Sequence, residues 1–308
     1  MLYTVSGDEL ERLLPERLAD ELEQGRIVFF SKSPVRLPTD ADLAFLREKV
    51  GARLLAKNVS YYPEARRLTG IKADPAVAAR TLEILESYST RVVAFLRRLM
   101  PRFMASARPG TTSFRPMQEH ARNLSPHASN ELVHVDAGAY GATHGDRILR
   151  FFTNVNPSED RVWLTKGTFT DLYQRHAKAA GIGDKSRVRV QERWMDRAYT
   201  ALIRAASRWV PLARVIDSSP YDRAMRKFHN YMKDTPAFQR ESSGQLEMRF
   251  PPFSSWMVLT DAVSHACRSG QYALVDTFLV PLANCQLRHY SPYEILRRSS
   301  AVISPEQG

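Results

Sequence analysis

The chain has 308 residues, of which 44% are hydrophobic, 10% aromatic and 25% charged. This composition is typical of a globular protein with a full-sized core, and it excludes disordered, collagen-like and low-complexity chains. The chain has 44 Lys and Arg against 33 Asp and Glu, a formal net charge of +11. An anionic partner or a simple preference for arginine codons would both explain this excess.

The basic excess lies in the middle of the chain. Residues 51–250 carry a net charge of +14, whereas residues 1–50 carry −3 and residues 251–308 carry 0. Only nine of the 44 basic residues are lysine, so most of the excess is arginine. Arginine favours forked contacts with phosphate or carboxylate groups.

The chain shows no sign of export or of a membrane span. Its N-terminus mixes acids and bases at helical spacing, unlike a signal peptide, and no stretch approaches the ~20 apolar residues that a span needs. Two cysteines cannot form a disulfide framework. We expect a cytoplasmic, non-spanning protein, with a peripheral membrane role left open.

The first hundred residues are predicted to be helical with one strand. Gly25 is a natural C-cap for an amphipathic helix over residues 13–24, and Thr39 and Asp40 can cap a helix that ends at Gly51. The strand covers residues 26–30, and a longer helix covers residues 77–100.

Beyond residue 108 the pattern becomes two groups of β-type runs separated by a helical excursion over residues 170–234. The predicted strands cover residues 111–116, 131–137, 147–157, 245–250, 254–261 and 271–280. This order predicts one β-barrel or sandwich with an inserted helical segment, and N-terminal helices that cover one sheet.

Two residues of the segment ELVHVDA have the chemistry of metal ligands. His134 and Asp136 are two positions apart, so in an extended chain both side chains point to the same face. Val133 and Val135 then face the opposite packing layer. The imidazole and the carboxylate can therefore bind one metal ion together.

His265 is the candidate third ligand. It lies between a strand predicted to end at Asp261 and another that begins near Gln271, which places its imidazole at a barrel mouth. Two histidines and one carboxylate form the facial triad of Fe(II) oxygenases, which leaves positions open for a co-substrate and dioxygen. A zinc hydrolase with the same ligands is the alternative metal chemistry.

A purely structural interpretation of these histidines also stays open. His134 would then be a satisfied core histidine, and His265 would cap a turn. Three other histidines, His120, His127 and His144, crowd the same region in turn-like sequence, where solvated side chains are expected.

The commonest co-substrate of such an iron site is 2-oxoglutarate, which needs a cation for its distal carboxylate. Arg150 lies inside the apolar segment RILRFF and Arg115 inside TTSFRP. A buried guanidinium must pair with an anion, so both are candidates for this role.

Several segments together are distinctive: TTSFRP, LVHVDA, GDRILRFFTNVNP followed by RVW, and FPPFSSWMVLTDAVSHACRSGQYALVDTF. VFFSKS and AKNVS support them nearer the N-terminus. The chain thereby resembles the bacterial Fe(II)/2-oxoglutarate-dependent 3-deoxy-D-manno-oct-2-ulosonic acid (Kdo) hydroxylases over nearly its whole length.

This resemblance implies an α+β fold with a mainly β core: a double-stranded β-helix of the jelly-roll or cupin type, with N-terminal helices packed on one sheet and a helical insert. It implies one oxygenase domain over residues 1–308. Its parts are N-terminal helical support over 1–107, the β core over 108–168 and 236–285, the helical insert over 169–235, and a C-terminal tail over 286–308.

The resemblance also implies the chemistry. Fe(II) is expected at His134, Asp136 and His265, and 2-oxoglutarate at Arg115 and Arg150, with no catalytic residue beyond the metal ligands. The expected reaction uses dioxygen to hydroxylate carbon 3 of a Kdo residue in the lipopolysaccharide inner core (Kdo-lipid A), with release of succinate and CO2. Alternatives are an oxygenase that acts on another sugar acid or on nucleic acid, and a metal-free barrel used for binding.

The helical insert also predicts a contact with lipid. Four arginines spaced 4, 7 and 4 residues apart share one helix face, next to a stripe with two tryptophans: Arg193, Arg197, Arg204 and Arg208, beside Trp194, Ala198, Ala205 and Trp209. This pattern is typical of a helix at an anionic lipid surface, and predicts peripheral contact with the inner face of the inner membrane. We expect an anionic glycolipid substrate and no nucleic acid partner. The alternative is a solvated arginine face with the tryptophans packed inward.

Overall fold

The computed structural model describes residues 1–72, 74–118, 127, 129–138, 141–183, 190, 194–206 and 219–301. The strands within these ranges are β1 (Leu2–Val5), β2 (Ile27–Phe30), β3 (Val59–Tyr62), β4 (Arg67–Thr69), β5 (Arg108–Arg115), β6 (Arg147–Asn154), β7 (Arg161–Thr165), β8 (Leu246–Phe250), β9 (Ser255–Leu259), β10 (Ala266–Ser269) and β11 (Ala273–Val280). The α-helices are α1 (Gly7–Arg12), α2 (Arg17–Glu23), α3 (Asp40–Phe45), α4 (Pro75–Leu99), α5 (Phe169–His176), α6 (Trp194–Ala206), α7 (Pro220–Asp234), α8 (Pro236–Arg240) and α9 (Pro292–Ala301).

The strands form two sheets. The larger has eight strands in the order β1, β2, β9, β6, β11, β5, β3 and β4, and the smaller has the order β10, β7 and β8. Only β1 and β2 pair in parallel among the described strands. In the centre of the large sheet, β11 aligns Thr277 with Arg150 of β6 and Val275 with Phe152. The strand predictions for β2, β5, β6, β8, β9 and β11 are confirmed within a few residues.

An aromatic core joins the two sheets. Trp163 and Phe250 of the small sheet pack against Phe152 and Trp256 of the large sheet, and the rings of Phe250 and Trp256 stack with centroids 3.9 Å apart. All four side chains are buried. Large aromatic rings in face-to-face sheets bury much apolar area, so this layer fixes the distance between the sheets beside the pocket described below.

The N-terminal helices cover the other face of the large sheet, as predicted. The long helix α4 begins at Pro75, with Asp74 as its N-cap, and its Tyr88 hydroxyl lies 2.7 Å from the Thr153 hydroxyl of β6. Thr39 caps α3 as predicted, and a π-helical turn over Leu46–Val50 continues that helix.

Helices that follow β7 in the chain form a second core around the segment that carries the candidate metal ligands. Val133 and Val135 are buried among residues of α5, α7, α8 and α9, which include Phe169, Phe228 and Leu296. The opposite packing layer predicted for the two valines is thus confirmed. The helix α9 lies in the part of the chain predicted to be a tail.

Three predictions about secondary structure are wrong. The N-terminal third contains four strands rather than one, and β10 follows His265 directly. Residues 131–137 form no regular strand, because their only ladder contact within the described residues is the isolated bridge between His134 and His265.

In the described part of the chain, no helix is long and apolar enough to cross a bilayer.

Candidate active site

A cavity of about 320 Å³ opens between the inner faces of the two sheets. Its walls come from β3, β5, β6 and β11 of the large sheet, from β7 and β10 of the small one, and from α7. Its described lining includes Lys57, Ser60, Tyr62, Thr111, Ser113, Arg115, His127, Asn130, His134, Asp136, Arg150, Phe152, Arg161, Trp163, His229, Lys233 and His265.

The three predicted ligands lie together in this cavity. Ligand atoms of His134, Asp136 and His265 all lie within 4.8 Å of one another. Two reciprocal backbone hydrogen bonds of 3.1 and 2.8 Å join His134 to His265, and the Asp136 amide donates to the Thr260 carbonyl at 2.8 Å. The loop between β9 and β10 therefore positions all three side chains.

Backbone carbonyls orient both imidazoles. The Nδ1 atom of His134 lies 2.7 Å from the Leu132 oxygen, and that of His265 lies 3.0 Å from the Val263 oxygen. Because a carbonyl can only accept, each Nδ1 carries the proton and each Nε2 keeps its lone pair. Outer contacts of this kind are typical of histidines that bind metals through Nε2.

Burial and charge keep the three groups in the states that metal binding needs. Burial lowers the pKa of His134 to about 3 and also lowers the pKa of His265. Burial alone would raise the pKa of Asp136, but the Arg150 guanidinium holds it well below its usual value. Two neutral imidazoles thus face one ionised carboxylate.

One oxygen of this carboxylate forms an ion pair but has no aligned hydrogen-bond donor. Asp136 Oδ2 lies 2.9 Å from an Arg150 nitrogen, but it has no partner in hydrogen-bond geometry within the described structure. A buried carboxylate oxygen of this kind is costly. A divalent cation between the imidazoles would satisfy it, and the donor set matches the two-histidine, one-carboxylate triad of Fe(II) oxygenases.

Side chains of α7 and α8 hold the other edge of the metal-binding segment. The Gln239 side chain accepts from the Val133 amide at 3.0 Å and donates to the Val133 carbonyl at 3.0 Å, as a neighbouring strand would. His229 Nδ1 donates to the Val135 carbonyl at 2.7 Å. Side chains of α7 and α8 therefore replace a strand partner.

Lys233 fixes the approach to this segment. Its ammonium donates to the carbonyls of His127 and Ser129 at 3.0 and 2.8 Å. No local sequence pattern indicates Lys233, His229 or Gln239, because each acts on backbone groups distant in the chain.

Three arginines line the cavity. The predicted Arg150 pairs with Asp136, and the predicted Arg115 places its guanidinium carbon 5.7 Å from the centre of the Phe152 ring. Sequence reasoning missed Arg161, which is 1% exposed and donates to the Gly270 carbonyl at 3.1 Å. The motif RVW could have indicated it, since it places an arginine in an apolar strand as RILRFF does.

The predicted arginine stripe falls mostly outside the described part of the chain. Arg193 and Arg208 lie outside the described residues, as do Trp209 and His120. The side chains of Arg197 and Arg204 lie outside the described part as well. Trp194 is 77% exposed, so the inward packing considered for it is wrong.

The two remaining histidines differ in position. His127 lines the cavity and pairs with Asp234 at 2.6 Å. His144 does not line the cavity.

Comparison with known proteins identifies the family. The model of the 3-deoxy-D-manno-oct-2-ulosonic acid (Kdo) hydroxylase family matches residues 8–301. The chain belongs to the Kdo hydroxylase family. It is an Fe(II)- and 2-oxoglutarate-dependent dioxygenase, as the resemblance implied.

Solved structures of the Kdo hydroxylase KdoO, a non-haem Fe(II) α-ketoglutarate-dependent dioxygenase, share the mixed α/β architecture. The complex with α-ketoglutarate and Fe(III) is 25% identical, with a TM-score of 0.78, and the match covers 97% of this chain and 95% of that one. The complex with cobalt(II) is 25% identical, with a TM-score of 0.79 and 99% of both chains covered. No curated protein sequence matches the chain.

Proposed function

We propose that this Kdo hydroxylase adds a hydroxyl group to carbon 3 of a Kdo residue in the lipopolysaccharide inner core, with release of succinate and CO2. The observation that carries the proposal is the buried triad of His134, Asp136 and His265 in a cationic cavity. Family membership supplies the sugar, and the name of that sugar identifies carbon 3 as its unsubstituted ring methylene.

The metal ligands, the arginines and the aromatic layer have separate roles in this function. His134 Nε2, His265 Nε2 and Asp136 would hold Fe(II), which would supply binding positions for 2-oxoglutarate and dioxygen. Arg150 keeps Asp136 ionised. Arg115, Arg150 and Arg161 offer guanidinium forks to the carboxylates of 2-oxoglutarate, and the aromatic layer of Phe152 and Trp163 excludes water.

Purified protein with Fe(II), 2-oxoglutarate and Kdo-lipid A tests this function. Mass spectrometry should find one added oxygen on Kdo, with one succinate formed per hydroxylation, and NMR of the released sugar should place the hydroxyl on carbon 3. Unmodified Kdo in a reaction that consumes 2-oxoglutarate with another sugar acid would favour the alternative substrate class.

We also infer that the two sheets form a double-stranded β-helix in a single oxygenase domain. In support, strands alternate between the sheets along the chain: β6 and β9 lie in the large sheet, β7 and β8 in the small one, then β10 in the small sheet and β11 in the large one. This alternation is typical of jelly rolls. The aromatic layer between the sheets agrees with this fold.

We further propose that α6 contacts the membrane that carries the substrate, at the cytoplasmic face of the inner membrane. Trp194, Met195, Tyr199 and Leu202 of this helix are exposed by 77, 63, 44 and 65%. At 100° per residue they occupy one side of the helix. The helical spacing of the sequence puts arginines next to this apolar face, a combination that favours an anionic lipid interface.

This contact is tested with two kinds of vesicle: neutral vesicles of phosphatidylethanolamine, and anionic vesicles that also contain phosphatidylglycerol. Replacing Trp194 and Leu202 by serine should weaken co-sedimentation while activity on detergent-dispersed Kdo-lipid A stays unchanged. Replacing Arg193, Arg197, Arg204 and Arg208 by glutamine should weaken binding only to the anionic vesicles. Unchanged vesicle binding in both variants would reject the membrane contact.

A further inference from the structure

Cations outnumber anions among the described residues that line the cavity. These residues include five lysine and arginine side chains against one carboxylate, that of Asp136. Bound Fe(II) would add two positive charges, and 2-oxoglutarate carries two negative ones. The described lining therefore favours an anionic third ligand.

The proposed substrate supplies such an anion at a fixed position. In a 3-deoxy-2-ulosonic acid, the carboxylate at carbon 1 and the methylene at carbon 3 are both bonded to carbon 2. When carbon 3 faces the metal, the carboxylate must lie in the same cavity. This step rests on the proposed function.

The position of each cation separates Lys57 from the rest. Arg115, Arg150 and Arg161 project from strands of the two sheets, and Lys233 is 6% exposed and donates to two backbone carbonyls. Lys57 instead lies in the loop before β3, and it is half-buried, as Arg115 and Arg150 are. Its place in a loop separates it from the cations on the strands and on α7.

Lys57 also reaches towards the metal-binding segment. Its ammonium donates to the Asn130 side-chain oxygen at 3.4 Å, and the Asn130 carbonyl accepts from the Cys267 amide of β10 at 2.8 Å. Lys57 and Asn130 thus join the β3 side of the cavity to the loop before His134. A carboxylate there can accept from the lysine and from the asparagine NH₂ group.

The strand next to Lys57 presents groups suited to a sugar. Ser60 and Tyr62 of β3 line the cavity, and the Ser60 hydroxyl lies 2.8 Å from that of Ser113 on β5. The Ser113 hydroxyl lies 3.3 Å from that of Thr111. Each hydroxyl can both donate and accept, as recognition of several sugar hydroxyls requires.

We propose that Lys57, with Asn130, binds the carboxylate of the Kdo unit, and that Ser60 and Tyr62 face its hydroxyl groups. This site makes the enzyme select a sugar acid and holds carbon 3 towards the metal. Lys57 is then a specificity-determining residue, separate from the arginines proposed to bind 2-oxoglutarate.

The experiment compares two acceptors: Kdo-lipid A and its analogue in which the Kdo carboxylate is a carboxamide. Lys57→Gln should raise KM for the acid about 10- to 100-fold, the range expected for one charge-assisted hydrogen bond, and should leave KM for the carboxamide unchanged. Lys57→Arg should restore much of the loss. KM for 2-oxoglutarate and affinity for Co(II) should not change, and the exposed Lys32→Gln is the matched control.

Two results would overturn the inference. One is an equal rise in KM for acid and carboxamide, which would indicate a general structural role. The other is a rise in KM for 2-oxoglutarate, which would place Lys57 at the co-substrate. Wild-type protein that leaves Kdo-lipid A unmodified would instead overturn the proposed function, and this inference with it.

Discussion

Gln239 of α8 provides a direct test of the idea that helix side chains hold the metal-binding segment in place. Gln239→Met keeps the side-chain volume but removes the amide that bonds both backbone groups of Val133 at 3.0 Å. Val133 precedes His134 by one residue, so a shift of its backbone moves the imidazole directly. We expect the variant to fold and to bind metal more weakly.

The magnitude follows from the groups left without partners. Each unsatisfied buried backbone group costs about 1–3 kcal/mol. Since Gln239 itself is half-buried, we expect the free energy of unfolding to fall by about 2–4 kcal/mol in total. Loss of an outer contact of a metal ligand typically costs about 10- to 100-fold in metal affinity, which equals about 1.4–2.8 kcal/mol.

Cobalt(II) is the probe, because the related KdoO binds it. Titration of metal-free protein, followed by visible absorption, gives the affinity, and urea unfolding of the same samples gives the stability. Gln174→Met on α5 is the control, since Gln174 is exposed. A Gln239→Met protein that is less stable but binds Co(II) with wild-type affinity would refute the reasoning.

Three further predictions concern the site and the core behind it. His134→Ala or Asp136→Ala should abolish substrate-coupled succinate formation; full activity with iron omitted and a chelator present would contradict this. Arg115→Gln should raise KM for 2-oxoglutarate about 10-fold or more, whereas the exposed Arg108→Gln should not; equal effects would reject the assignment. Burial raises the pKa of Asp276 from 3.8 to about 7, so the folded state holds this proton more tightly and stability falls as pH rises from about 4 to 7. The free energy of unfolding of Asp276→Asn, measured by urea titration relative to wild type, should therefore rise by up to about 4 kcal/mol between pH 4 and pH 8. A difference between variant and wild type that is the same at both pH values would contradict the raised pKa.

The local pattern of the sequence predicted several elements of the core. The alternation in ELVHVDA correctly separated His134 and Asp136 from Val133 and Val135. Continuous apolar runs predicted β6, β9 and β11, since strands buried on both faces need little polar sequence. Short elements such as β3, β4 and β10 carry too few residues to show a period, and they were missed.

Local patterns do not predict the structure where side chains, rather than a strand, pair with the backbone. ELVHVDA alternates as a strand does, yet Gln239, 106 residues further along the chain, takes the place of one neighbouring strand. Alternation reports which side chains are buried, but it does not report what satisfies the backbone. Residues that act on distant backbone groups therefore leave no mark in the pattern.

The sequence by itself determined the types of the metal ligands, the long strands and helices, and the excess of arginine in the middle of the chain. Only the tertiary structure decided that His265 meets His134, that Arg150 pairs with Asp136, and that Arg161 and Lys57 share their cavity. The physical reason is the distance along the chain between the residues that determine each feature. Side-chain periodicity follows from the geometry of neighbouring residues, whereas a metal site requires groups from separate strands and an insert to converge within a few ångströms.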